Sequence, residues 1–192
     1  MPKAVEENFL NVLIQDVNCA LERLSKNDTP THRREFIRAI SAAVEGLHWR
    51  VKSHLFDHSR DHLSLHEQLA MIEEGYNVDD DGDVRVRPQR MPLAHAIRLV
   101  IKVTKRIRPS CEFDFNHPGW TCLKDTIAVR HRLVHPKRIE ELTVTDQELV
   151  RAFQGFVWFL ALGLQVLDHT IDYLKGRIAK LKEWAELPKG AG

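Results

Sequence analysis

One arginine and two histidines in the last third of the chain are of the types needed to hold a phosphate and move protons beside it. They lie in the stretch Ala128-Val129-Arg130-His131-Arg132-Leu133-Val134-His135-Pro136-Lys137. Arginine keeps its proton and grips phosphate with a planar fork of donors, whereas histidine gives and takes protons near neutral pH. On an unbroken helix Arg130 and His135 would stand about 140° apart around the axis. The residue before a proline is pushed out of the α region, so His135 is expected to leave the helical path. The break at Pro136 is what could let both side chains address one phosphate. Read blandly, Arg130 and Arg132 are cations favoured at a helix C-terminus.

The elements that must position this stretch follow from hydrophobic spacing. The chain has 192 residues, 43% of them hydrophobic and 29% charged, with a net charge of +1. That is the composition of one ordinary soluble domain with a core of its own. Its charge balance excludes a global bias toward nucleic acid or membranes, so any such bias must be local. Three cysteines, Cys19, Cys111 and Cys122, are odd in number and lack close metal-type spacing, which argues against disulfides and a zinc site and for a reducing, cytoplasmic setting. No basic-then-apolar leader opens the sequence. The longest apolar run, Phe156 to Leu164, is far too short to span a bilayer.

Apolar residues at steps of three and four predict a first helix over Val5 to Leu24 and a second carrying Phe36, Ile37, Ile40, Val44, Leu47, Val51 and Leu55. Thr29 and Pro30 suit the N-cap and first turn of the second helix. A short third helix is expected over 62–75, stopping at Gly75. His54, His58, His62 and His66 recur at steps of four, a ligand spacing. The four drift around a real helix and have no cysteine nearby, so no metal and no cofactor are assigned. Residues 76–87 read as a β-hairpin turning at Asp81-Gly82, an insertion that extends to about residue 90. A calcium loop centred on Gly82 would put Pro88 where glutamate is required.

Charge then changes sign. Glu73 to Asp83 holds six acids and no base, and Arg85 to Arg108 holds eight bases and no acid. A helix from Pro92 places Arg98, Lys102 and Lys105 on one ridge, the electrostatic footprint of a phosphate backbone. The helix that carries the opening motif is expected to start at Trp120 or Thr121. Thr145-Asp146-Gln147-Glu148 is a capping box that opens the longest helix, with Phe153, Phe156, Leu160 and Leu164 as its inner stripe. Val157, Trp158, Phe159, Leu162 and Val166 would then wet its other side, which either other helices of the same chain or a second copy must cover. The residues from 185 on read as a frayed tail. The expected fold is all-α: one domain over 1–192, an up-and-down bundle of five to six helices with a small hairpin.

Arg130 to Pro136, at the end of one helix and followed by a capped helix from Thr145, resembles the signature of the HEPN superfamily of small helical-bundle proteins among toxins, antiphage systems and RNA-processing factors. That signature is an arginine, four to six residues, then a histidine, often with a polar residue directly after the arginine. Here four residues intervene and His131 fills the polar position. The resemblance implies a metal-independent endoribonuclease that acts as a homodimer. His135 would be acid or base, Arg130 would bind the phosphate, and His131 would orient or carry a second proton. Arg132, Arg98, Lys102 and Lys105 would contact RNA, and Glu45 would fix Arg130. It also implies an antitoxin or a neighbouring defence protein as partner. Family members silenced by a nucleotidyltransferase antitoxin often carry a tyrosine two residues after the motif histidine, where this chain has Lys137. The other implied reading is a non-catalytic HEPN-like module that binds RNA or protein.

Overall fold

Helices dominate because the apolar residues recur every three to four positions along most of the chain. The structure is a computed structural model and describes residues 3–109 and 113–186. Six α-helices follow in order: α1 (Lys3–Lys26), α2 (Pro30–Ser59), α3 (Leu65–Ile72), α4 (Leu93–Ile107), α5 (Pro118–Val134) and α6 (Asp146–Glu186). Between α3 and α4 lies one antiparallel hairpin of β1 (Glu74–Val78) and β2 (Val84–Pro88). The expected all-α bundle with a small hairpin is the observed fold. Of the tail read as frayed, residues 187–192 lie outside the described residues, as does Cys111.

The chain divides into two compact units, Met1–Arg50 with Asp114–Gly163 and Val51–Phe113 with Leu164–Gly192. In the first, Val17 and Ala20 of α1, Phe36, Ile37, Ile40 and Leu47 of α2, Leu123, Val129 and Leu133 of α5, and Ala152, Phe156 and Phe159 of α6 are buried. Thr29 caps α2 by accepting the His32 N–H at 3.2 Å, with Pro30 opening the helix. The helix α5 starts earlier than expected. Pro118 takes its first position, and the His117 ring accepts the Gly119 N–H at 3.0 Å.

The inner side of α6 is also not the expected one. Phe159 and Leu162 are buried along with Phe156, whereas Phe153 and Val157 stand in solvent. Close approach decides this. A Cβ on Gly155 would lie 2.6 Å from the Leu123 backbone nitrogen and 2.8 Å from its Cα. Whichever side of α6 carries Gly155 must therefore lie against α5. The segment Asp146–Asp168, 23 residues, is by length and composition apolar enough to cross a membrane, further than the run Phe156–Leu164 suggests. Ala152, Phe156, Phe159, Leu162 and Val166 of that segment are buried in the fold.

In the second unit the core gathers Val51 and Leu55 from α2, Met71 from α3, and Ile97, Val100, Ile101 and Val103 from α4. The helix α3 is shorter than predicted. It ends at Ile72, and Glu73, not Gly75, takes the left-handed capping position at φ 59°. Its start is a second capping box, with Ser64 Oγ accepting the Glu67 N–H and Glu67 Oε2 accepting the Ser64 N–H. The hairpin turn fits its aspartates. Asp79 Oδ1 accepts the N–H groups of Asp81 and Asp83, and Gly82 takes the φ of 85° that favours glycine. The histidine series is broken by the chain: α2 ends at Ser59, a 3-10 turn covers Arg60–His62, and His66 belongs to α3. Among the described residues no three His, Cys, Asp or Glu side chains are placed to hold a metal ion.

Gly155→Ala is expected to lower unfolding free energy by about 1–3 kcal/mol, the usual cost of overpacking, measured by urea denaturation. A pH effect follows from Glu67. The Arg106 guanidinium grips its carboxylate through two hydrogen bonds, at 3.1 and 2.9 Å. That fork, assisted by the Ser64 N–H and hydroxyl, holds the Glu67 carboxyl at about 2, against an ordinary 4.5. The folded value lies below the unfolded one, so the contribution is complete above pH 4.5 and is lost as pH falls toward 2. The stability gap between wild type and Glu67→Gln, about 1 kcal/mol after solvent screening, should close across that window in urea titrations at stepped pH.

Candidate functional site

The motif ends α5 as its sequence requires. Val134 is the last helical residue, and His135 is the cap, at φ −123° and ψ 52°, with its N–H still donating to the His131 carbonyl at 3.0 Å. Pro136 follows without an N–H to continue the ladder. Both histidine rings are exposed, and their centroids lie 5.0 Å apart at an interplanar angle of 56°. The chain beyond is tied down locally. Glu141 Oε2 accepts the Lys137 N–H at 2.8 Å, and this bond holds the Glu141 carboxyl below the usual carboxylate range.

The two arginines of the motif point to different neighbours. Arg130 Nη2 lies 3.1 Å from Glu45 Oε1 on α2, and the two side chains are 37% and 48% exposed. Glu45 and Arg130 thus join α2 to α5. Arg132 reaches Glu148 Oε1 at 2.8 Å, in a pair only 30% and 26% exposed. Glu148 is also the acid of the capping box, since its Oε2 accepts the Thr145 N–H at 2.8 Å and its own N–H donates to Thr145 Oγ1. Arg132, expected to contact RNA, thus clamps the end of α5 to the start of α6.

Sequence reasoning missed a further anchor of the same region. Arg33 Nη1 donates to the Val144 carbonyl at 3.0 Å, and Arg33 Nη2 sits 2.6 Å from Asp146 and 2.5 Å from Asp28. The start of α6 is therefore held by arginines from α2 and α5 together. The only signal for Arg33 in the sequence was a cation four residues after a capping threonine, which names no partner.

No protein-family model, curated protein or solved structure matches this chain. The HEPN resemblance therefore rests on the motif residues themselves.

Trp158, on the side expected to be covered by other helices or by a second copy, is half-buried and engaged within the chain: its ring lies 5.9 Å from Trp120 and stacks with His117 at 12°. Among the described residues the exposed large apolar side chains of the same helix are Val150, Phe153, Val157, Leu164 and Ile171, and Phe153 and Val157 line a groove with His117, Pro118 and Ala161. In the second unit Arg98, Lys102 and Lys105 are all exposed on α4, and Lys105 Nζ donates to the Phe113 carbonyl at 3.0 Å.

The different burial of the two arginine pairs gives a stability test. Arg132→Ala should destabilise the protein by about 1 kcal/mol, because it removes the half-buried partner of the capping glutamate Glu148. Arg130→Ala should cost about half of that or less, its pair being solvent-exposed. Thermal and urea unfolding of the two variants decides it.

Proposed function

We propose that this protein is a metal-independent endoribonuclease of the HEPN type, cleaving RNA by acid–base chemistry at the end of α5. The observation that carries the reading is the Arg130–Glu45 pair on the same end of α5 as His131 and His135. A partly exposed arginine, paired with a carboxylate from α2, shares the last turns and cap of α5 with two exposed histidines. Arg132 is committed to the capping glutamate of α6, whereas the Arg130–Glu45 pair is the more exposed of the two.

The chemistry needs little beyond these groups. A base removes the 2′-hydroxyl proton, the 2′-oxygen bonds to the adjacent phosphorus, and the bond from phosphorus to the 5′-oxygen breaks. An acid protonates the departing 5′-oxygen, leaving a 2′,3′-cyclic phosphate and a 5′-hydroxyl. His135 serves as acid or base, with His131 orienting it or carrying the second proton. Arg130 binds the phosphate and stabilises the charge that grows on its oxygens. One chain supplies a single Arg130 and a single His135, so a two-fold homodimer would bring a second set. The exposed α6 residues Val150, Phe153 and Val157 are the apolar surface we assign to it. An antitoxin or neighbouring defence protein as regulator, and a cytoplasmic location, belong to this reading too. With Lys137 in place of tyrosine, modification at that position is no part of it.

A non-catalytic RNA-binding module is the second reading, favoured by the exposed cations Arg98, Lys102 and Lys105 on α4. One experiment separates the two: single-stranded RNA incubated with the protein in EDTA, followed for both cleavage and binding. We expect cyclic-phosphate products, a loss of about 10²–10⁴-fold in rate for His135→Ala and about 10²–10³-fold for Arg130→Ala, with RNA still bound. Intact RNA in the presence of folded wild type would overturn the enzyme reading. Salt-sensitive binding that survives His135→Ala and weakens with Lys102→Glu would then support the module.

A further inference from the structure

The exposed line of α2 passes through the candidate site and continues beyond it. Arg38, Ala42, Glu45 and Trp49 recur at steps of four, three and four, and all of them are exposed. Trp49 is 55% exposed, although tryptophan is highly buried on average. It stands one helical turn, about 6 Å, beyond the carboxylate that pairs with Arg130. Side chains on a helix lean toward its N-terminus, which carries the indole toward Glu45 and Arg130. Phe9 of α1 meets the indole with ring centroids 6.2 Å apart at 73°. A T-shaped contact of this kind covers at most one of the two indole faces. The order of groups along α2 and α5 follows from their ends. Arg33, near the start of α2, grips Asp146 at the start of α6, and Arg132, near the end of α5, reaches Glu148 on that same first turn. The end of α5 therefore lies by the start of α2, and the two helices pass in opposite senses. From Arg130, the motif histidines lie toward the start of α2 and Trp49 lies the other way. An aromatic face, a phosphate-binding arginine and two proton carriers follow one another in that order.

Resting on the endoribonuclease reading, we infer that Trp49 is the platform on which an unpaired nucleobase stacks while Arg130 holds a phosphate of the same strand. The substrate class is then single-stranded RNA. Stacking on an aromatic ring accepts every base, because each has a π-face, whereas a paired base keeps its faces against its neighbours in the duplex. Charge around the indole agrees with this occupant. Glu45, the acid of the same exposed line, is neutralised by Arg130. A guanidinium carries five N–H donors, so donors beyond the Nη2 that faces Glu45 can meet a phosphate. Asp125 of α5 is taken by Arg151. Asp16 of α1 is exposed, but it lies two turns from Phe9, about 10 Å along the helix. Arg38 is exposed and without an ion pair among the described residues, and it continues the line toward the histidines. A protein surface laid over Trp49 would bury the Arg130–Glu45 pair at its edge, and burial of an ion pair often costs more than the pair returns. A nucleotide needs no such burial and brings the phosphate that the arginine takes.

Binding to an uncleavable strand tests the platform in the full-length protein, apart from the chemistry. The probe is a short oligoribonucleotide of mixed sequence with fluorine in place of each 2′-hydroxyl, which removes the attacking oxygen. Its control is an abasic oligomer of equal length. Fluorescence anisotropy reads affinity, tryptophan emission reads contact with the indole, and circular dichroism checks the fold. The base-bearing strand should quench wild-type emission and bind Trp49→Ala about tenfold or more weakly. The abasic oligomer should bind wild type and Trp49→Ala within about twofold of each other, since only phosphate contacts remain. Trp49→Phe should keep affinity within about threefold, as another aromatic platform, while losing the quench. Arg130→Ala should weaken both oligomers, and the strand annealed to its complement should not quench. Ordinary RNA left intact beside these results would overturn the nuclease reading and leave the platform standing. Equal affinity of wild type and Trp49→Ala for the base-bearing strand would overturn the platform. So would an equal loss with the abasic oligomer, quenching by the duplex, or a change in sedimentation of Trp49→Ala with no change in affinity.

Discussion

Gly155 allows the backbone of α6 to lie against the backbone of α5 at Leu123, and much of the first unit depends on that approach. Once the two helices meet there, positions on either side are committed. Arg132, near the end of α5, reaches Glu148 in the first turn of α6, and Asp125 pairs with Arg151. The aromatic residues Trp120 and Trp158 come together on the same pair of helices. Each of these contacts is worth little if exposed alone. Together they hold α5 so that its final turn, with Arg130, His131 and His135, ends at a defined place.

Both units stiffen a helix start in the same way. The glutamate of a capping box, Glu148 in one and Glu67 in the other, bonds its own N-terminus and also receives an arginine from another helix, Arg132 or Arg106. One carboxylate thereby satisfies orphan backbone donors and forms a charge-assisted bond to a distant element. The price in exposure is that these two arginines are less available to a ligand. Arg130 differs in having a partner, Glu45, that is itself nearly half exposed.

How much was legible in the sequence varied with the kind of signal. Helix existence, the cap at Thr29, the box at Thr145 and the hairpin turn at Gly82 were readable because each is local, encoded within four or five residues. The stop of α3 was not, since the nearby Gly75 is the usual choice and Glu73 in the left-handed region defies local preference. Which side of α6 is inner escaped because Phe153, Phe156, Val157 and Phe159 are equally apolar. Periodicity could not rank them, and a glycine contact with another helix did. At the candidate site, residue types and the break at Pro136 were visible, and so was Glu45 as a neighbour for Arg130. The assignment of Arg132 to Glu148 was not, because it depends on helix packing.

A two-stranded hairpin has two open edges, and each is a row of backbone donors and acceptors able to recruit strands from other molecules. Here Tyr76, Val78, Val84 and Val86 give the strands an apolar side. The chain limits that hazard by keeping each strand to five residues, by ending β2 at Pro88, which has no N–H to offer, and by alternating Arg85 and Arg87 with the valines. Four aspartates crowd the other end. The hairpin is thus built to resist open-ended edge growth while leaving the face of Tyr76, Val78, Val84 and Val86 uncovered.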